Sequence, residues 1–398
     1  MRIVQLANYV TAGSGGQRRA LIEMGTRYAA AGHEVTLVVP SGCTDPTAWP
    51  AAGVAVVEVP SVRVPRSGGY RAIVRRAPLR QALIGLRPDV VELADKTTLS
   101  WVPGWLRARS VPTVLVAHER HDSMLATSLP SWLPWRRVVR RMASRTAAAS
   151  AAVVCASSFC ARQFHPAVPV RRVALGVDLD LFRPACGPPA ARGQLVFVGR
   201  LSPEKDPLTA VAVVRDLVRA GHDVRLVVVG DGPLREQVAR AAQDLPIELL
   251  GHVADRTVVR DALAASNVLL APCATETFGL AVLESLACGT PAVVPRGGAA
   301  RELLVAGTGV IADAEPNMVR AVGALLAGDR RVQRERCRAH AMQYGWDASV
   351  AAMLDVFADV IGAVTTPGHG PLDPSTAPPP ERAPSLRPGT ERAGAPRP

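Results

Sequence analysis

The sequence predicts an α/β fold of doubly wound parallel sheets, arranged as two domains. Three observations carry the prediction. Short apolar runs alternate with stretches of helical periodicity, as expected for strands buried on both faces and wound by helices. The alternation begins at Arg2 and begins again at Leu195, after a stretch rich in Pro, Gly and Ala from Pro184 to Gly193. Strand ends run into glycine-rich or polar turns and then into helices, which is where open α/β sheets receive ligands. With 398 residues, 48% of them hydrophobic, the chain suffices for two cores at ~150 residues each.

In the first half, Arg2 to Asn8 reads as a strand and Gln17 to Ala31 as a helix with Ala20, Leu21, Met24 and Tyr28 on one face. The turn between them holds Gly13, Gly15 and Gly16, which let backbone approach a phosphate or a sugar. A dinucleotide fingerprint would need glycine where Arg18 stands, and the second strand ends in Val39-Pro40-Ser41 without an acid for a ribose. A dehydrogenase is therefore disfavoured. Glu34 to Val39, Val54 to Val59, Asp89 to Leu93, Thr113 to His118 and Ala152 to Ala156 continue the strand series. His118 closes its strand at the crevice edge, and His121 lies just beyond.

The second half carries the richest stretch. Val268 to Ala271 reads as a buried strand, a polar turn holding Glu276 follows, and Leu280 to Ala287 forms a helix closed by Gly289. Glu276 and Glu284 can therefore address two ends of one ligand, and carboxylates accept readily from sugar hydroxyls. Earlier, Leu195 to Val198 leads into Gly199-Arg200-Leu201-Ser202-Pro203-Glu204-Lys205. Lys205 is one of only two lysines, the other being Lys96, so generic surface charge does not account for it. Arg200 and Lys205 can meet the two phosphates of a diphosphate through charge-assisted bonds of about 1.5 to 3 kcal/mol each. Val224 to Val229 and Ile247 to Leu250 supply further strands, the latter leading to Gly251-His252-Val253. Asp178 and Asp180 form an Asp-x-Asp pair in the segment between the halves and read as capping and turn residues; no metal site is expected.

Glu276-x7-Glu284 with Phe278-Gly279 inside it, the Gly199-Arg200-x3-Glu204-Lys205 element, and Gly176 to Pro184 together resemble the retaining glycosyltransferase family four, of the two-domain GT-B fold. The likeness covers about residues 1 to 363. It implies two Rossmann-like domains facing across a cleft: an acceptor domain at 1–183, a linker at 184–194, a nucleotide-sugar domain at 195–345 and a helix at 346–363 crossing back. By that resemblance Glu276 faces the donor hexose and Glu284 the ribose, while Gly15, Gly16, Arg200 and Lys205 approach the diphosphate. Val253 cradles the nucleobase, Phe278, Gly279 and Leu280 line the donor, and His118 contacts the hexose. It further implies transfer with retention and no cofactor beyond the nucleotide-sugar donor. The N-terminal half is most similar to GDP-mannose-dependent phosphatidylinositol mannosyltransferases, which implies GDP-mannose and a glycolipid acceptor such as a phosphatidylinositol mannoside. A nucleotide-sugar epimerase of the same architecture and a non-catalytic basic membrane-binding protein stand as alternatives.

Charge location fits a lipid partner. The formal charge is +12, and between Ser61 and Ser150 sixteen Arg or Lys face five Asp or Glu. Aromatic content is 4% and no nucleic-acid module is recognisable, so an anionic membrane surface is preferred to nucleic acid. Arg75 and Arg76 lie in one basic stretch, Val62 to Arg80, which reads as a mobile loop followed by a basic helix. In the other, Trp135, Val138, Val139 and Met142 fall on one helical face and Arg137, Arg140 and Arg141 on the opposite one, as in an interfacial helix or an ordinary core-facing one. Seven scattered cysteines form neither a CxxC pair nor a secreted disulfide framework. No signal-peptide core or spanning segment is evident, so the expected location is the cytoplasm, peripherally on the cytoplasmic face of the membrane, with no obligate protein partner. From Pro367 onward ten prolines in thirty-two residues predict a disordered tail, placed at 364–398.

Overall fold

The computed structural model describes residues 1–10, 15–43, 53–64, 69–117, 135–185 and 193–365. They form two parallel sheets. The first contains β1 (Arg2–Leu6), β2 (Glu34–Pro40), β3 (Val54–Val59), β6 (Val90–Leu93), β7 (Thr113–Ala117), β8 (Ala152–Cys155) and β9 (Val170–Arg172), in the order β3-β2-β1-β6-β7-β8-β9. The second contains β10 (Gly193–Val198), β11 (Val224–Val229), β12 (Ile247–Gly251), β13 (Val268–Leu270), β14 (Ala292–Val294) and β15 (Gly309–Ile311), in the order β12-β11-β10-β13-β14-β15. Every neighbouring pair in both sheets is parallel. The strands are runs of Val, Ile and Leu because helices cover both faces, and residues such as Val4, Leu6, Leu93, Leu195 and Leu269 are fully buried.

Each sheet reverses its strand order once: between β1 and β6 in the first, and between β10 and β13 in the second. At such a point adjacent loops diverge and leave a crevice at the carboxyl ends of the strands. Helix α1 (Gly16–Ala30) follows β1 and buries Ala20, Leu21, Met24 and Tyr28, the stripe that the sequence predicts.

Two local departures from the sequence expectation have simple causes. The second sheet begins at Gly193 rather than Leu195, because Gly193 pairs with Val224 and the buried Gln194 amide is satisfied by Ser266 Oγ at 3.1 Å. The basic stretch Val62 to Arg80, expected as a loop followed by a helix, holds a strand pair ahead of the helix: β4 (Val62–Arg63) and β5 (Arg71–Ala72) pair antiparallel. Helix α2 (Arg76–Leu86) follows.

Helix α3 (Val102–Arg107) precedes β7, and α4 (Trp135–Ala149) precedes β8. In α4 the buried face is Ala143, Thr146 and Ala147, with Val139 half-buried, while Val138 is 55% exposed. Val138 and Val139 therefore do not share one face. They are neighbours on a helix, and packing against α3 selects the more C-terminal stripe. The side chains of Trp135 and Arg136 lie outside the described residues.

Further along come α5 (Ser158–Ala161), α6 (Pro207–Arg219), α7 (Arg235–Ala241), α8 (Arg256–Ala265), α9 (Leu280–Ala287), a 3-10 turn (Ala300–Leu303), α10 (Glu315–Ala327) and α11 (Arg330–Ala341). The last helix, α12 (Trp346–Thr365), follows the second sheet in sequence but packs on the first. Trp346, Val350, Met353 and Phe357 join Ile3, Met24, Tyr28 and Val116 in one core, with the Tyr28 and Phe357 rings 5.6 Å apart, edge to face. Val177 bridges Gly345 where the chain crosses between the sheets. The described cysteines are buried and none of them is joined in a disulfide among the described residues, and no helix among the described residues is long and apolar enough to cross a membrane.

Candidate active site

The loops after β10 and β13 flank the strand-order reversal of the second sheet, and they supply Arg200, Lys205 and Glu276. Lys205 Nζ donates to Glu276 Oε2 at 2.6 Å, with the two side chains 31% and 21% exposed. Burial pulls the Lys205 ammonium down, but Glu276 and then Cys273 outweigh it and leave the group above the usual lysine range. Burial likewise pushes Glu276 up, and Lys205 together with the Thr277 and Phe278 amides brings it below the ordinary carboxylate value. Thr277 N donates to Glu276 Oε1 at 3.1 Å. The pair is thus held fully charged at the mouth of the crevice.

Backbone packing fixes both loops. Gly298 has φ +75°, and a Cβ there would lie 2.9 Å from Glu276 N; Ala299 N donates to Glu276 O at 2.7 Å. The Gly297-Gly298 turn thereby clamps the glutamate's backbone. On the other side a Cβ on Gly230 would fall 1.9 Å from Gly199 O, so only glycine allows the 230–232 turn to press on the Arg200 loop. Leu201 N donates to Asp231 O at 3.0 Å in that contact.

The remaining residues expected at the site divide. Arg200 does not meet Lys205 or Glu276 directly; its Nη2 donates to the phenol of Tyr70, in the first domain, at 2.7 Å. Glu284, on α9 with a 9% exposed side chain, pairs with Arg256 Nη2 at 2.7 Å. Arg256 in turn stacks on Phe182 at 4.7 Å. Across the cleft Arg19 lies close enough to Arg256 and Glu284 to feel both; burial first, then Arg256, lowers its pKa. Gly15 caps α1, and a Cβ on Gly16 would sit 3.5 Å from Leu280 Cδ1, so the first domain's glycine turn faces the N-terminus of α9.

Gly279 begins that helix with φ +105°, Phe278 is buried in the core beneath it, and Val253 is half-buried at the edge of the same core. His118 and His121 lie outside the described residues. Asp178 accepts from the amides of Asp180 and Leu181 at 3.2 and 3.0 Å, closing a turn. Among the described residues no group of three or more His, Cys, Asp or Glu could hold a metal ion.

Contacts joining the two domains were not legible in the sequence. Glu302 accepts from Ser158 N and Phe159 N, both at 2.8 Å, capping α5 of the first domain, and lies 3.4 Å from Arg172. Ser157 Oγ donates to Thr277 O at 2.6 Å, one residue from Glu276. Only the Gly-Gly-x3-Glu spacing of 297–302 hints at a role for Glu302, and nothing in the sequence names its partner.

Several arginines are exposed on the first domain. Arg75, Arg76, Arg137, Arg140 and Arg141 are all exposed. Arg76 and Arg80 lie over Trp101 at 5.4 and 5.1 Å, and Arg109 lies over Trp105 at 4.2 Å. No Asp or Glu occurs between Glu58 and Asp89, or between Asp122 and Asp178.

Comparison with known proteins agrees with this geometry. Residues 14–181 match the family model described as Glycosyltransferase Family 4, and residues 192–328 match that described as Glycosyl transferases group 1. A GDP-mannose-dependent alpha-(1-6)-phosphatidylinositol dimannoside mannosyltransferase of Mycobacterium tuberculosis (strain ATCC 25177 / H37Ra) is 40% identical over 369 residues, covering 89% of this chain and 95% of that protein. A GDP-mannose-dependent alpha-mannosyltransferase of Mycobacterium tuberculosis (strain CDC 1551 / Oshkosh) is 32% identical, over 69% of this chain and 73% of that protein. Among solved structures, sucrose-phosphate synthase from Thermosynechococcus elongatus superposes with a TM-score of 0.74 at 19% identity, over 91% of this chain and 99% of that one, a likeness of fold. The epimerase and non-catalytic alternatives find no support in these likenesses. The chain belongs to glycosyltransferase family four and is a hexosyltransferase of GT-B fold that draws on a nucleotide-sugar donor.

Proposed function

We propose that this enzyme transfers mannose from GDP-mannose, with retention at the anomeric carbon, to a glycolipid acceptor of the phosphatidylinositol mannoside type. The observation that carries the reading is the 40% identity to a phosphatidylinositol dimannoside mannosyltransferase across 95% of that relative's length. The charged pair at the strand-order reversal supports it. Lys205 and Arg200 bind the diphosphate, and Glu276, released from part of its contact with Lys205, accepts from hexose hydroxyls. Glu284, oriented by Arg256, takes the ribose; Val253 backbone borders the base, and Gly15 and Gly16 approach the phosphates from the first domain. Phe278, Gly279 and Leu280 shape the floor, and His118 orients the hexose.

The bond from the anomeric carbon to the phosphate oxygen breaks while the acceptor oxygen bonds on the same face. The acceptor proton passes to the departing diphosphate, and the cations stabilise the charge developing there.

The acceptor is presented at a membrane. Arg75, Arg76, Arg137, Arg140 and Arg141, with Trp135, form the docking face towards anionic lipid on the cytoplasmic side, each arginine contributing about 1 kcal/mol. The first domain at 1–183 serves the acceptor, and 195–345 serves the donor.

The test is incubation of the full chain with GDP-mannose, UDP-glucose or ADP-glucose and a phosphatidylinositol dimannoside, with the product linkage read by NMR. Mannose joined as an α-glycoside from GDP-mannose alone is the expected result. Transfer from another donor, or a β product, would sink the reading.

A further inference from the structure

We propose that Tyr70 is a positioning residue for the donor diphosphate, acting through Arg200 from the opposite domain. The inference rests on the reading of Arg200 as a phosphate ligand. Arg200 carries a long, flexible side chain, yet two contacts with one residue restrain it. The Tyr70 phenol oxygen accepts from Nη2 at 2.7 Å, and the guanidinium carbon lies 5.4 Å from the ring centroid. One N–H is used in this way, and the rest of the planar fork is left to grip a bidentate anion.

Both ends of the contact are built on rigid supports. Tyr70 O accepts from Val64 N at 2.9 Å beside the β4–β5 pairing, and the next residue, Arg71, is tied by its Nε to Ser61 Oγ at 2.9 Å. Arg71 O also accepts from Tyr9 N at 3.3 Å, joining the hairpin to the end of β1. Arg200 stands on the loop locked between Val229 and Asp231, where Gly199 N and Leu201 N donate at 3.0 Å each. A hydroxyl on one domain thus fixes a cation on the other, and Arg200 is held in place for the diphosphate only when the two domains lie together. A long cation ordered before the substrate arrives loses less freedom on binding, which is where a positioning hydroxyl acts.

Four full-length proteins test this: wild type, Tyr70→Phe, Arg200→Ala and the double variant, each with kcat and KM for GDP-mannose and calorimetric affinity for GDP. Tyr70→Phe keeps the ring and removes the acceptor oxygen. It should lower kcat/KM for the donor about tenfold and weaken GDP binding, with acceptor KM and melting temperature unchanged. Arg200→Ala should cost more, and adding Tyr70→Phe to it should cost the donor nothing further, because the hydroxyl acts on the diphosphate through Arg200. Wild-type donor kinetics in Tyr70→Phe would overturn the inference and leave the donor site standing. An equal loss from Tyr70→Phe in both backgrounds would also overturn it. Wild-type GDP affinity in Arg200→Ala would instead remove Arg200 from the diphosphate, and the inference would fall with it.

Discussion

Lys205 and Glu276 meet at 2.6 Å across the seam where the second sheet reverses its strand order, one from the loop after β10 and the other from the loop after β13. Strands β10 and β13 are hydrogen-bonded neighbours, so their loops diverge from a common origin and the two charges are held over the crevice between them. The pair is partly exposed, so its value lies in being placed and charged more than in stability.

Loss of the cation should therefore show in turnover. Lys205→Ala is expected to lower kcat about a hundredfold or more, the range for removing one partner of transition-state charge. Its melting temperature should fall only modestly, because the pair is partly exposed. Steady-state kinetics with GDP-mannose checks the first and calorimetry the second; an unchanged kcat removes the diphosphate role.

The pair also has a pH signature. Glu276 titrates below its ordinary value, so its contribution to stability is present above the unfolded carboxylate pKa and is lost as pH falls through the folded one. Lys205 titrates above its ordinary value, so its contribution is present below the unfolded lysine pKa and is lost as pH rises through the folded one. The difference in melting temperature between wild type and Lys205→Met should be flat through the neutral range and shrink at both extremes. A difference that varies between pH 6 and pH 9, values about which neither group titrates, contradicts this.

Glu92 behaves in the opposite sense. It is buried on β6, and burial raises it to about 7 although Gln5 and Tyr28 donate to it at 3.4 and 3.3 Å. The folded state holds this proton more tightly than the unfolded chain. Stability is therefore full below the unfolded glutamate pKa, declines as pH rises towards 7, and then levels off, at a cost on the order of 3 kcal/mol. Glu92→Gln, neutral at every pH, should raise the melting temperature at pH 8 and flatten the profile. A lower melting temperature for the variant at pH 8 would show that the charge is compensated.

Breaking the clasp at Glu302 should loosen the two domains without unfolding either. Glu302→Gln keeps the shape but leaves one oxygen to accept from one α5 amide, as an ordinary bond worth about half as much, and sets an NH2 donor against the other amide, losing that bond. The expected outcome is a larger radius of gyration in small-angle scattering and a raised KM for donor. Scattering identical to wild type would mean that the remaining contacts, such as Ser157 to Thr277, suffice.

The proposed docking face makes a separable prediction. Replacing Arg137, Arg140 and Arg141 together with Gln should weaken binding to vesicles of phosphatidylinositol and phosphatidylcholine about a hundredfold at low salt, from about 1 kcal/mol each. Hydrolysis of GDP-mannose in solution should stay as it was. Equal sedimentation with vesicles by the variant and wild type would remove this helix from the membrane contact.

What the sequence disclosed follows physical lines. Strands buried on both faces are nearly continuous apolar runs, so strand Val224 to Val229 was legible to the residue, and helix Leu280 to Ala287 was legible between its flanking glycines. The sequence puts Lys205 and Glu276 in the turns after two buried strands, and the structure brings these two charges together. Partners far apart in sequence left no local trace: nothing near Glu284 announces Arg256, and nothing near Arg200 announces Tyr70. Val138 illustrates the limit on a helix, where adjacent apolar residues leave two stripes and only the neighbour decides which is buried.

The most direct measurement is calorimetric titration of GDP into wild type and into the Lys205→Ala and Arg200→Ala variants. Selective binding of GDP over UDP and ADP by the wild type, weakened at least tenfold in each variant, is the predicted result. GDP bound with equal affinity by all three proteins would contradict a diphosphate held by these two cations.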